Sequence, residues 1–318
     1  MHTRRIQPIA GTTYSVSLPK AWVKENGLSQ KSEVQMTKTA DSNLLISAKS
    51  TQKSDPKSIE LSIEEYGDEI ESVIMACYYK GYESIRIISN RIGTLGAQAG
   101  KIRRMINYMS GTEISHERKD LIEIRNLLDK TKVNVRQSLY RMAFIIRSSF
   151  GMLHEKEQAD RLEDNEIEID RLNHLITKIC SISMYDMKVL ATSRINSIDS
   201  IPSFLIVAKK LEKIGDSIMN MVDEMGVSKS AFIEPDVLDG ISSEIDRCLR
   251  YVTSKSKQIF SKIPENTKEK LFSKIAGITN EVIKINLHEI LDYLVDIQEE
   301  ILTISFQERI LAKKEGGY

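Results

Sequence analysis

The sequence changes character at Lys132. Beyond it strand signals vanish, and apolar residues recur at alternating threes and fours over stretches of about twenty residues or more. Ile169, Leu172, Ile176 and Ile179 follow that rhythm, as do Phe204, Ala208, Leu211, Gly215, Ile218 and Val222. Such spacing lays one apolar stripe along each helix, which a chain can bury only by stacking helices side by side. Helices are expected over 133–157, 160–180, 202–225, 237–263 and 266–311, the last broken in two. Aromatic residues at 6%, with 15 glycines and 6 prolines in 318 residues, fit a mainly helical chain with short connections.

Before Lys132 the pattern is mixed. Residues 59–63, 84–88, 112–115 and 120–124 alternate as strands, and 65–80 and 97–109 read as helices stopped by Gly81 and Gly111. This βαβ-like order predicts a small α/β unit over 57–130. Residues 51–58 are polar, contain Pro56 and read as a linker. Residues 1–50 form a third segment, with short strands at 13–18, 33–37 and 44–47. A helix of one to two turns follows the first strand, with Pro19 near its start and Gly27 past its end. So small a segment buries too little surface to stand comfortably alone, and dimerisation is the natural remedy. The expected fold is therefore multidomain and mainly α. A β-rich domain over 1–50 and an α/β unit over 57–130 precede a helical bundle over 132–315.

Charge is balanced, with 45 basic and 45 acidic residues, so nucleic-acid binding must rest on local distribution. Within 1–50, Arg4, Arg5, Lys20, Lys24, Lys31, Lys38 and Lys49 face only Glu25, Glu33 and Asp41. Cys77, Cys180 and Cys248 lack CxxC spacing, which argues against a disulfide framework or a thiolate zinc site. No signal-peptide pattern and no apolar run of spanning length occurs, and a cytoplasmic protein without membrane insertion is expected.

Two family resemblances follow from specific residues. Arg4-Arg5-Ile6-Gln7, the run from Gly11 through Ser17-Leu18-Pro19-Lys20-Ala21-Trp22 to Val23, Asn26-Gly27-Leu28 and Glu33-Val34 resemble the swapped-hairpin SpoVT/AbrB family. The resemblance covers about 3–47 and implies a homodimer of interleaved hairpins that meets DNA. Arg4, Arg5, Lys20 and Lys24 are its candidate DNA contacts, able to neutralise phosphates, the arginines also able to read guanine. The Gly-Asp usual before the third strand is replaced by Lys31-Ser32. In the helical region, Leu211-Glu212-Lys213-Ile214-Gly215-Asp216 with Asn220 resembles the PhoU family of phosphate-uptake regulators, over about 133–310. That resemblance implies three-helix repeats carrying E/D-x-x-x-D motifs, which Glu166/Asp170, Glu212/Asp216 and Asp292/Asp296 match.

The same spacing has a physical reading. Residues four apart stand one above another on a helix, so each pair presents two carboxylates together. His174, Asn220 and Glu300 extend the three rows by a turn. Glu212 and Asp216 lie off the apolar stripe, which predicts a surface site between helix flanks. Oxygen donors suit divalent ions such as Mg²⁺, Ca²⁺ or Mn²⁺, or iron. No partner motif occurs over 237–285, which argues against a full second cluster.

Gly93 to Lys101 is not a phosphate loop. Gly96 and Gly100 enclose three residues where four are needed, and Ile102 follows the lysine. A helix start with closely packed small residues is expected there instead, with an N-terminus that Arg103 and Arg104 could help bind an anion. His2, His116, His154, His174 and His288 form no HExxH pair, and no G-x-S-x-G elbow occurs, so an enzyme is not expected. The sequence leads to a transcriptional regulator of phosphate uptake: its N-terminal domain binds DNA and its PhoU-like bundle senses metal or a partner. The alternative is an adaptor that contacts a phosphate transporter or signalling protein without binding DNA.

Overall fold

The computed structural model describes residues 3–9, 11, 13–38, 44–48, 57–91, 93–153, 159–228, 232–254 and 258–315. It is mainly helical with small β-sheet units. The chain divides into two compact units, Met1–Asp55 and Pro56–Tyr318.

The first unit holds two hairpins and one helix. β1 (Gln7–Ile9) pairs antiparallel with β2 (Thr13–Ser15), and β3 (Val34–Lys38) with β4 (Leu44–Ala48). β2 ends three residues earlier than the sequence predicts, since Val16 to Pro19 form no ladder, and β1 was not expected. α1 (Lys20–Glu25) starts where Pro19 accepts the Val23 amide and closes as Leu28 N donates to Val23 O. At the Lys31-Ser32 departure the backbone of Lys31 takes a left-handed turn, with φ 71°. Ser29 N donating to Ser32 Oγ at 2.9 Å and Ser32 N to Ser29 O at 3.1 Å brace that turn. None of the described residues in this unit is buried.

The second unit begins with a two-layer α/β assembly. β5 (Ser58–Ser62) runs parallel to β6 (Ser84–Ile88) across a crossover made of α2 (Ile63–Tyr66) and α3 (Ile70–Tyr79). After α4 (Thr94–Ile106), β7 (Thr112–Arg118) and β8 (Leu121–Asn126) complete a sheet of order β5-β6-β8-β7. Leu61, Ile85, Ile87, Ile122 and Ile124 form one core with Ile70, Ile74 and Tyr78 of α3 and Leu95 and Ile102 of α4. The alternate positions of the strands carry Glu60, Arg86, Glu123 and Arg125, a charged face on which Arg86 pairs across to Glu60 and Arg125 pairs along β8 with Glu123. Residues 93–101 do start a helix, but a Cβ at Gly96 would meet nothing within 4 Å, and one at Gly100 only Arg104 at 3.9 Å. The expected close packing of these small residues is therefore absent.

The bundle follows: α5 (Val135–Met152), α6 (Ala159–Ser183), α7 (Met187–Thr192), α8 (Ile201–Val227), α9 (Pro235–Thr253), α10 (Glu265–Ala276) and α11 (Glu281–Glu315). Its starts are read locally. Asn134 Oδ1 accepts the Gln137 amide, Asp186 accepts those of Lys188 and Val189, and Pro202 and Pro235 occupy first-turn positions. α7 carries no long apolar period and was not anticipated. α9 stops at Thr253 rather than 263, and beyond it the amides of Phe260 and Ile263 bond to Ser305 and Gln298 of α11 instead of continuing the helix. Ile176, Ile179, Phe204, Ala208, Leu211, Ile218, Ile245, Leu287 and Ile297 fill one continuous core. Arg136 ties it together, donating to Arg194 O and Val252 O and pairing with Glu308. Among the described residues, no helix is long and apolar enough to cross a membrane.

Gly111 turns the chain from α4 into β7 at φ 70°, and a Cβ there would lie 2.7 Å from Leu128 Cβ. Gly111→Ala combines a strained φ with a backbone-anchored clash. It is expected to lower unfolding free energy by about 2 kcal/mol or more, measured by urea titration.

Candidate metal centre

α6 and α8 pack face to face, and one position sets how closely. A Cβ on Gly215 would stand 3.3 Å from Ile169 Cδ1, so the bare glycine backbone lets α8 seat against the α6 side chain. Gly215 and Ile169 each neighbour an acid in sequence, Asp216 and Asp170. The contact thus brings the two carboxylate rows together. Oxygens of Glu166, Asp170 and Asp216 lie within 4.8 Å of one another, and all three residues are half-buried. Two oxygens that far apart can share one cation at about 2.4 Å from each, the range of calcium and similar ions.

The electrostatics shows the strain of this arrangement. Burial, then the neighbouring Glu166, Glu212 and Asp216, pushes the Asp170 carboxyl up to about 7. Burial also raises Glu166, followed by Asp216, Glu163 and Glu212, while a hydrogen bond with Asp170 opposes the rise. Two lysines on α8 offset the charge. Lys213 Nζ lies 2.6 Å from Asp216 Oδ2, a bond that raises the lysine's own pKa. Lys209 Nζ lies 2.8 Å from Glu212 Oε1 and 2.7 Å from Oε2. Glu212 is therefore engaged by lysine and stands beside the trio rather than in it.

Glu212 and Asp216 lie off the α8 stripe, and α3 of the α/β layer packs against α6 beside them. Tyr79 Oη of α3 is 2.5 Å from His174 Nδ1, one turn beyond Asp170, and Tyr108 meets the same imidazole edge-on at 6.4 Å. Burial, followed by Glu212 and Asp170, holds Tyr79 up at about 12, and burial followed by Glu166 and Asp170 raises Tyr108. His174 is lowered by burial, then by Lys209, which leaves a neutral imidazole under the tyrosines. Tyr79, Tyr108 and Lys213 had no signal in the sequence. The tyrosines lie far from the acids along the chain, and the lysine read as one of many on a helix.

The third row does not join the cluster. Asp292 is exposed, and Asp296 Oδ2 pairs with Lys210 Nζ at 2.7 Å, so lysine supplies the positive charge there. Asn220 donates to Asn286 Oδ1 at 3.3 Å. Among the described residues, the trio is the one carboxylate group with metal-holding spacing. Arg4, Arg5, Lys20 and Lys24 are all exposed on the first unit. His2 and His154 lie outside the described residues.

Residues 142–225 match the family model described as PhoU domain, a segment that contains Glu166, Asp170, Glu212 and Asp216. No curated protein and no solved structure matches the chain.

Because the Asp170 carboxyl holds its proton more tightly when folded, metal-free protein loses stability as pH rises from about 4 to about 7 and stays at that lower level above. Asp170→Asn is expected to raise the metal-free melting temperature by a few degrees at pH 8 and to leave it unchanged below pH 4. It should also abolish any rise in melting temperature on adding a divalent cation. Asp216→Ala should lower bound metal in elemental analysis with an unchanged helical circular dichroism spectrum. Lys213→Met, which frees Asp216, should tighten divalent binding by roughly tenfold, the scale of one charge-assisted hydrogen bond. Gly215→Leu would wedge α6 from α8, with a loss of about 1–3 kcal/mol in stability and of metal affinity together.

Proposed function

We propose that the chain is a regulator of phosphate uptake that binds a divalent cation or iron at Glu166, Asp170 and Asp216 and passes that state to a DNA-binding N-terminal unit. The observation that carries this reading is the half-buried carboxylate trio lying inside the segment that matches the PhoU domain. Three acids held together under a tyrosine roof are poorly satisfied by lysine alone, and a cation meets their need directly.

The N-terminal unit supports the second half of the proposal through what it lacks. It has no buried side chain among its described residues, and Ile6, Ile9, Tyr14, Val16, Met36, Leu44 and Leu45 are exposed. A second copy would cover that apolar surface, as interleaved hairpins do. The four exposed basic residues of each copy would then be doubled on one assembly, enough to give salt-dependent contact with DNA phosphates. On this reading the protein is a homodimer that acts without catalysis.

Fluorescence anisotropy of the full chain against duplex DNA from upstream of phosphate-transport genes tests it. Affinity is expected to fall linearly in log–log form with salt, and Arg5→Ala should weaken binding and flatten that slope by about one phosphate per copy. Absence of salt-dependent affinity for any duplex, with metal binding intact, would favour an adaptor that binds a transporter or signalling protein. In ultracentrifugation the full chain should sediment as a dimer. Ile6→Asp with Val16→Asp should yield monomers whose helical signal is unchanged.

A further inference from the structure

Lys178 of α6 is only 3% exposed, and among the described residues no carboxylate stands within ion-pairing distance of it. Its Nζ sits 4.1 Å over the ring of Tyr78, a residue of the α/β core. Among the described residues the ammonium has a π-face and no acceptor, so water or a ligand in the adjoining pocket must complete its hydrogen bonds. Arg136, another deeply set cation of the bundle, has carbonyl acceptors and a carboxylate. Among the described residues Lys178 has neither, and a pocket adjoins it.

That pocket, of about 300 Å³, lies between the α/β layer and α6, at the lower end of the range for small-ligand sites. Lys178 and Ile182 line one side, Tyr82, Asn126 and Leu128 the other, and Lys130 joins from the connecting segment. Two acids, Glu83 and Asp129, also line the pocket: Asp129 accepts from the amide and hydroxyl of Thr131, and Glu83 is exposed, while Asp186 lies 3.5 Å from Lys130. Burial, then Lys130, holds Lys178 down at about 7, and Glu83 only partly opposes them. An entering anion would restore the full charge of the lysine.

We propose that this pocket is a binding site for a small oxyanion, a carboxylate or a phosphate monoester, with Lys178 as its buried anchor and Lys130 as its second positive group. The apolar wall from Leu127, Leu128 and Ile182 suits a ligand with a short carbon body behind the charged head. The site is separate from the carboxylate trio and does not depend on the metal reading, because its ligands come from the other end of α6.

The test uses the full chain in the presence of a chelator, with inorganic phosphate and succinate as probes against chloride at matched ionic strength. Two readouts are taken: the melting temperature as a function of probe concentration, and acetylation of Lys178 by a limiting amine reagent, quantified by peptide mass spectrometry. The expected result is a saturable rise in melting temperature and protection of Lys178 by at least one probe. Response to phosphate alone identifies a phosphate head, and response to succinate alone a carboxylate. Lys178→Met keeps the length and apolar stem and should weaken binding about tenfold or more, and Lys130→Gln by a smaller factor. Should Lys178→Met fail to fold, protection of Lys178 in the wild type decides. The proposal is overturned if neither probe protects Lys178 or gives a saturable shift, or if folded Lys178→Met responds as the wild type does.

Discussion

The contact between Gly215 and Ile169 is the constraint from which the rest of the bundle's chemistry follows. Two helices that meet through a missing side chain seat closely at that point, and whatever flanks the contact is carried inward with it. Here the flanking residues are Asp216 and Asp170. Apolar packing, which is worth far more in sum than any one polar group, holds three half-buried acids together. Their repulsion cannot separate the helices, and it appears instead as a raised carboxyl at Asp170 and as lysines drawn to Asp216 and Glu212. The strain is local, and the core on either side of it supplies the stability that tolerates it.

The joint between the α/β layer and the bundle is of a different kind. Each has its own apolar core, and many of the groups that meet between them are aromatic or polar. Tyr79 reaches His174, Tyr78 lies under Lys178, and Tyr185 donates to Lys80 O at 2.8 Å beside Lys57 Nζ on the same carbonyl. Contacts of this type are directional and individually modest, whereas a continuous core would resist any shift. A joint so built can accept a change of charge on either side without unfolding either core.

Most elements of the fold were legible because they obey a single period. β5, β6 and the long helices α5, α6 and α8 stand close to where alternation or the three-four rhythm puts them. The failures are places where a distant partner overrules the local signal. Residues 254–263 continue the apolar pattern of α9, yet the amides of Phe260 and Ile263 find better partners on α11. The acid rows were legible as rows, since four-residue spacing fixes a helix face. Spacing does not say which rows meet. Glu166, Asp170 and Asp216 converge because a glycine sits at one crossing, while Asp296 turns to Lys210 because a lysine happens to face it. Lys178 carried no signal at all: a lysine within a helical pattern reads as solvated, and only the α/β layer buries it.

Asp170 and Lys178 share one rigid helix, eight residues or about 12 Å apart, and each bears a charge that burial disfavours. Both also touch the same foreign element, through the adjacent residues Tyr79 and Tyr78 of α3: Lys178 by its ring contact, and the acid row by way of His174. A cation at the trio would remove the repulsion beneath Tyr79, and an anion beside Lys178 would add a counter-charge beside Tyr78. Either ligand would therefore bear on how α3 rests against α6. If either changes that contact, linkage requires the other to feel it by the same factor, whichever binds first. The bundle supplies a fixed helix, the α/β layer a cover seated on polar contacts, and two opposite charges meet along one line between them. That geometry makes α3, rather than the bundle core, the element through which binding would be communicated.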